Sequence, residues 1–217
     1  MKSDSFGCLI SEQGDYPSNL GDSCAETCRA LHMRHWLKAY TIIPFLSYYK
    51  FITESGYVRH PNAPHDWRED DFTSDQALPL FVFLKASHSE DLKLQMISRI
   101  RENNWKTGNG DLVTPIFFSL LIESKWLLNF CLIIQTLLFK LPFRWSDSKK
   151  KFESMENMSG DYLNFIHASA YASPIVRKLI SQTKLKDRVR HYYKDEPNCA
   201  WLIALYDEFI EKFWPNG

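Results

Sequence analysis

The apolar residues of this chain recur at helical spacing, and alternating strand patterns are scarce. Cys24, Cys28, Leu31 and His35 share one face of a first helix. It opens at Ser23-Cys24-Ala25-Glu26, where Ser and Glu three apart match a capping box. A second helix is expected over Ile42 to Ile52, with Pro44 in its first turn, and an irregular stretch over Thr53 to Phe72, broken by Pro61 and Pro64. Thr73-Ser74-Asp75-Gln76 is another capping box and starts a third helix carrying Leu78, Leu80, Phe81 and Leu84. Ser89 to Asn103 reads as a fourth, with Leu92, Leu94, Ile97 and Ile100 apolar. After the turn Gly108-Asn109-Gly110-Asp111, Thr114-Pro115 supplies an N-cap and a first-turn proline for a fifth helix reaching about Ser124. A sixth continues the apolar run to about Leu141, and Pro142 to Gly160 is a polar, lysine-rich connection. Asp161 to Tyr171, a segment opened by Ser173-Pro174, Lys184 to Lys194, and Asn198 to Phe213 complete the series. The fold class expected is all-α, with residues 1–217 as one domain.

These helices fall into pairs joined by short links, and longer polar links separate the pairs. Short links make neighbours antiparallel, so every odd-numbered helix should start at the same end of the stack. That end would gather Asp15, Asp22 and Glu26, then Arg59, His60, His65, Asp66, Trp67, Asp70, Asp71 and Asp75, then Trp105, Asn109 and Asp111, then Asn157, Asp161 and Asn164. Loops on a rigid scaffold are where binding and catalytic groups concentrate. Aromatic rings beside carboxylates suit sugars, because ring faces stack on C–H surfaces while acids bond hydroxyls, and a carboxylate pair can act as general acid and base. Asp22, Asp75 and Asp111 with His60 are the catalytic candidates, and Arg59, Trp67, Asp71, Asn109 and Asp161 the substrate-binding ones. Singly, each aspartate has a structural role, complementing a helix dipole or shaping a turn, and Glu26 reads as a capping residue. Only their convergence points to a cleft.

Charge and composition narrow the classes. Lys plus Arg equals Asp plus Glu, 26 each, which argues against nucleic acid as principal partner. The basic-aromatic stretch Lys186 to Lys194 reads as a solvated helix face with Val189 and Tyr193 inward. The odd count of five cysteines fits no disulfide framework or zinc pattern, so reduced thiols and a cytoplasmic location are expected. His60, His65 and Asp66 match no metal-ligand spacing, and no phosphate loop, GxGxxG or nucleophile elbow is present, so neither metal nor cofactor is expected. His32, His35 and His167 fall inside helices, where packing satisfies most histidines. Trp126 to Trp145 is apolar but interrupted by Asn129, Gln135, Lys140, Pro142 and Arg144, which favours a buried helix over a membrane segment.

The segments Gly21-Asp22-Ser23, Asp71-Phe72-Thr73-Ser74-Asp75-Gln76, Asn109-Gly110-Asp111-Leu112 and Arg190-His191-Tyr192-Tyr193 resemble those of uncharacterised bacterial and phage proteins, which are similar in turn to the (α/α) toroids of glycoside hydrolases and polysaccharide lyases. The resemblance implies antiparallel hairpins in a toroid-like ring. A closed ring of six hairpins takes twelve helices and this chain supplies about ten, so the ring would be incomplete. It implies no assigned activity. The leading expectation is a protein that binds, and by extension cleaves, a carbohydrate or other small polar ligand. Two rivals stay open: a non-enzymatic helical module that binds a protein partner, and a membrane-associated helical protein.

Overall fold

The computed structural model of the chain describes residues 2–11, 13–16, 22–38, 60, 62, 73–108, 110–140, 159–183, 185–194 and 199–214. The expected helix over Ile42 to Ile52, His65, Asp66 and most of the lysine-rich connection lie outside the described residues. Among those described, the architecture is predominantly helical: α1 (Ser23–Leu37), α2 (Ser74–Ala86), α3 (Glu90–Glu102), α4 (Pro115–Leu121), α5 (Lys125–Lys140), α6 (Ser159–Ser169), α7 (Pro174–Ile180), α8 (Leu185–Tyr192) and α9 (Ala200–Phe213). Two short strands were not expected. β1 (Lys2–Ser3) and β2 (Leu9–Ile10) pair antiparallel, with Lys2 opposite Ile10. The Leu9 N–H donates to Thr27 Oγ1 at 3.0 Å, which fastens this hairpin to α1.

Local chemistry sets most boundaries. At α2 the Thr73–Gln76 capping box is complete in both directions. Thr114 and Ser173 accept N–H bonds from Phe117 and Val176, each with proline in the first turn. At α1 the expected box is absent: the N-cap is Asp22, and Glu26 turns inward instead. Several helices end on a left-handed residue that is not glycine, namely Lys38, His88, Asn104 and Glu123, with φ between 53° and 57°. After three of them the chain makes a Schellman-type bond, from Ser89 N to Leu84 O, Trp105 N to Ile100 O and Ser124 N to Ser119 O, at 2.9–3.0 Å.

α1 is the hub. It packs chiefly on α2, also on α9, and touches α6. Phe81, Phe117, Phe165, Phe209 and Trp214 fill the core. Hydrogen bonds tie helix starts together: Gln76 Nε2 to Asp22 Oδ1 at 2.9 Å, Thr114 N to Ser74 Oγ at 3.2 Å, and Asn164 Nδ2 to Ser74 O at 3.5 Å. The starts of α1, α2 and α4 and the first half of α6 therefore meet. α5 corrects an expectation. It was read as a helix buried all round, yet Leu128, Leu132 and Thr136 point inward while Trp126, Phe130, Ile134 and Leu137 are 43–75% exposed. No helix among the described residues is long and apolar enough to cross a membrane.

Candidate functional site

Of the residues singled out from sequence, Arg59, Trp67, Asp71 and Asn109 lie outside the described residues, as does the side chain of Asp161, which falls in α6. Asp22 and Asp75 stand at the adjoining starts of α1 and α2, half-buried and engaged with neighbouring side chains: Asp22 accepts from Gln76, and Asp75 Oδ1 accepts from the Thr73 hydroxyl. Asp111 is exposed, and its carbonyl accepts from the backbone and side chain of Thr107. His60 is fully buried against the N-terminal hairpin, where its Nε2 meets Asp4 Oδ2 at 2.6 Å.

A buried polar chain that no single motif announces runs along the inner face of α1. Glu26, Arg29 and His32 follow one another at three-residue spacing, facing Asn164 and His167 of α6, and all five are buried. Arg29 donates to Glu26 Oε1 at 2.5 Å, to Asn164 Oδ1 at 3.3 Å and to the Asp75 carbonyl at 2.9 Å. Pro79 explains the last bond. It sits inside α2 and has no N–H to offer the carbonyl four residues back, so Arg29 takes that place. The Tyr193 hydroxyl donates to Glu26 Oε2 at 2.6 Å. Burial pushes the Glu26 carboxyl up from its ordinary value, against the pull of Arg29 and Tyr193. Burial opposes the charge on Arg29, but Glu26 together with the neighbouring Tyr206, Tyr193 and Tyr192 prevails and raises its pKa.

The tautomers of the two histidines follow from their neighbours. Trp36 Nε1 can only donate, and it lies 3.0 Å from His32 Nε2, so the His32 proton sits on Nδ1. That proton points to His167 Nδ1 at 2.8 Å. His167 therefore carries its own on Nε2, which donates to the Tyr206 hydroxyl at 2.7 Å. Tyr206 is hydrogen-bonded to Tyr193, whose hydrogen is committed to Glu26. From Trp36 through His32 and His167 to Tyr206, every donor points the same way. The arrangement requires both imidazoles neutral, and burial does this: His32 is pushed down to about 3, and His167 also falls well below the ordinary value.

At its other end this chain reaches the surface. Tyr171 lies 3.2 Å from His32 Nε2 and donates to the Val82 carbonyl at 3.0 Å. Tyr171 and Trp36 line a cavity of about 540 Å³ with His35, Lys85, His88, Glu90, Lys93 and Glu123. It is formed where α1, α2, α4 and α6 end and α3 begins, and it touches none of Asp22, Asp75, Asp111 or His60. Its wall is a run of alternating charges. Lys85 Nζ reaches Glu123 Oε1 at 2.7 Å, and Lys93 Nζ bridges Glu123 at 3.1 Å and Glu90 at 2.7 Å. Lys93 is buried, which opposes its charge, but the two carboxylates prevail and raise its pKa; Lys85 and Lys93 lower that of Glu123. Burial, then the neighbouring His88, lowers His35.

Comparison of the chain with protein-family models, with curated proteins and with solved structures gives no match. The readable signal for the buried chain was the Glu26-x-x-Arg29-x-x-His32 and Asn164-x-x-His167 spacing, together with Pro79 inside an apolar helix. The pocket residues gave less, because Lys85, Glu90 and Lys93 look like an ordinary solvated helix surface until the helix ends are brought together.

Proposed function

We propose that this protein binds a small, polyhydroxylated, sugar-like ligand in the cavity between Trp36, Tyr171 and the Lys85–Glu123–Lys93–Glu90 chain. One observation supports this above the others: charges of both signs alternate along the wall, beside two aromatic rings. Each lysine is already neutralised by a carboxylate, so a strongly anionic ligand gains little net attraction. Hydroxyl groups both donate and accept, which suits alternating ammonium and carboxylate groups, while the rings offer C–H stacking surfaces. Binding is favoured over cleavage. A glycosidase needs one carboxyl held protonated by a raised pKa, whereas Glu123 is shifted in the opposite direction. The same reading includes the toroid-like arrangement of antiparallel hairpins and the kinship with glycan-active toroid enzymes, with the ligand at the helix C-terminal end instead of among the acidic loops.

The test is isothermal titration with a panel of neutral and acidic oligosaccharides. Saturable binding is expected, weakened at least tenfold by Trp36→Ala and by Glu123→Gln, with circular dichroism verifying the fold of each variant. No heat from any member of the panel would refute the assignment.

A second reading, a module that docks a protein partner, draws on the exposed apolar stripe of α5. Trp126 and Phe130 stack at 5.7 Å on its outer face, and Ile134 and Leu137 continue the line. Trp126→Ser with Phe130→Ser should abolish partner capture under this reading and leave sugar binding intact. Capture that survives the double substitution removes the stripe from consideration.

A further inference from the structure

The N-terminal hairpin brings together a set of groups that the ligand cavity does not use. Asp4, Cys8 and His60 each offer one donor atom, and the three atoms lie within 4.8 Å of one another. Cys8 and His60 are fully buried. Asp4 Oδ2 meets His60 Nε2 at 2.6 Å, and the Tyr16 hydroxyl donates to the same oxygen at 2.8 Å while lying 3.3 Å from Nε2. The other Asp4 oxygen is held by the backbone N–H groups of Phe6 and Cys8, both at 2.9 Å. The rings of Phe6 and Tyr16 pack edge-on against the imidazole. Cys24 neighbours Cys8 and is itself hydrogen-bonded to Cys28, so three of the five thiols collect here.

We propose that Asp4, Cys8 and His60 form a binding site for a divalent transition metal, zinc by preference. One oxygen, one sulfur and one nitrogen donor with a fourth position left open is a zinc-type ligand set. The thiol selects against calcium and magnesium, which take oxygen donors. The two amides that hold Asp4 Oδ1 orient the carboxylate as outer-shell partners do around established metal centres.

Two existing hydrogen bonds work against binding. The Asn62 N–H donates to His60 Nδ1 at 3.0 Å, which puts the proton of the metal-free ring on Nε2, shared with Asp4. Metal coordination at Nε2 moves that proton to Nδ1, so the Asn62 amide must turn away. Cys8 loses its thiol proton to solvent, and Asp4 enters already ionised. The Asn62–His60 and His60–Asp4 hydrogen bonds are thus exchanged for three metal–ligand bonds, with one proton released per metal.

The experiment is a titration of the chelator-stripped full chain with cobalt(II) as a spectroscopic substitute for zinc. Uptake of one equivalent is expected, with a thiolate-to-cobalt charge-transfer band that zinc abolishes by displacement and with one proton released into weak buffer. Cys8→Ser should remove the band and lower affinity at least ~100-fold, the upper end of what losing a supporting residue alone costs, while Cys24→Ser keeps it. Circular dichroism verifies the fold of each variant. X-ray absorption on the wild-type zinc form, expected to show one sulfur among nitrogen and oxygen neighbours, needs no substitution. Folded wild-type protein that gives no charge-transfer band at saturating cobalt, a band that survives Cys8→Ser, or a shell without sulfur each overturns the site.

Discussion

Arg29 has three hydrogen-bond partners from three different parts of the chain, Glu26, Asn164 and the Asp75 carbonyl. Removing one member of a buried ion pair strands the other. Arg29→Met is therefore expected to cost ~3–5 kcal/mol of unfolding free energy in a urea titration. The double variant Glu26→Leu/Arg29→Met should recover part of that loss but not all, because the Asp75 carbonyl still lacks the donor that Pro79 cannot supply. Full cost in both variants would show that the pair is not the coupled unit described. The histidines give a pH dependence. The ordinary imidazole value is 6.5 and His32 falls to about 3, with His167 shifted the same way. The unfolded chain then binds more protons below 6.5, so stability is full above that pH and falls as pH drops toward 3, by up to ~1.4 kcal/mol per unit for each histidine. Glu26, raised by burial, works in the opposite sense, but one carboxyl stands against two imidazoles. Urea midpoints at pH 8 and pH 5 should differ accordingly, and a His32→Asn/His167→Asn variant should show a flatter profile. At this scale the sequence was half legible. Ser23-Cys24-Ala25-Glu26 fits a capping box as written and Arg29 offers Glu26 a local alternative three residues on, but the Tyr193 hydroxyl that also claims it is 167 positions away.

The elements themselves were more legible. Thr73, Thr114 and Ser173 cap helices as their types and the following prolines or Gln76 require. The helix ends were less so, because the usual marker is glycine and this chain uses Lys38, His88, Asn104 and Glu123 in the left-handed conformation. A side chain there costs ~1 kcal/mol relative to glycine. His88 and Glu123 line the cavity, whereas Lys38 does not. Thermal denaturation should therefore show both His88→Gly and Lys38→Gly more stable by ~0.5–1 kcal/mol, with ligand affinity lost only in His88→Gly. Equal affinity in the two variants would mean that His88 has no part in the cavity.

Among the described residues, the starts of α1, α2 and α4 meet in one place, and the ends of α1, α2, α4 and α6 meet in another. Asp22–Gln76, Ser74–Thr114 and Ser74–Asn164 contacts tie the first end together, and the cavity occupies the second. Hydrophobic period and cap chemistry carry the helix content of such a fold. They do not carry which end opens into a pocket, since that depends on how Lys85, Lys93 and Glu123 meet after packing. The central claim, that this cavity takes a sugar-like ligand, is read most directly by saturation-transfer NMR on the wild-type chain with a mixture of neutral oligosaccharides. The account predicts transfer to C–H protons on one sugar face, lost in Trp36→Ala and retained in Asp111→Asn. Transfer that ignores Trp36 but vanishes with Asp111 would move the site to the acidic helix starts, and no transfer at all would contradict sugar binding outright.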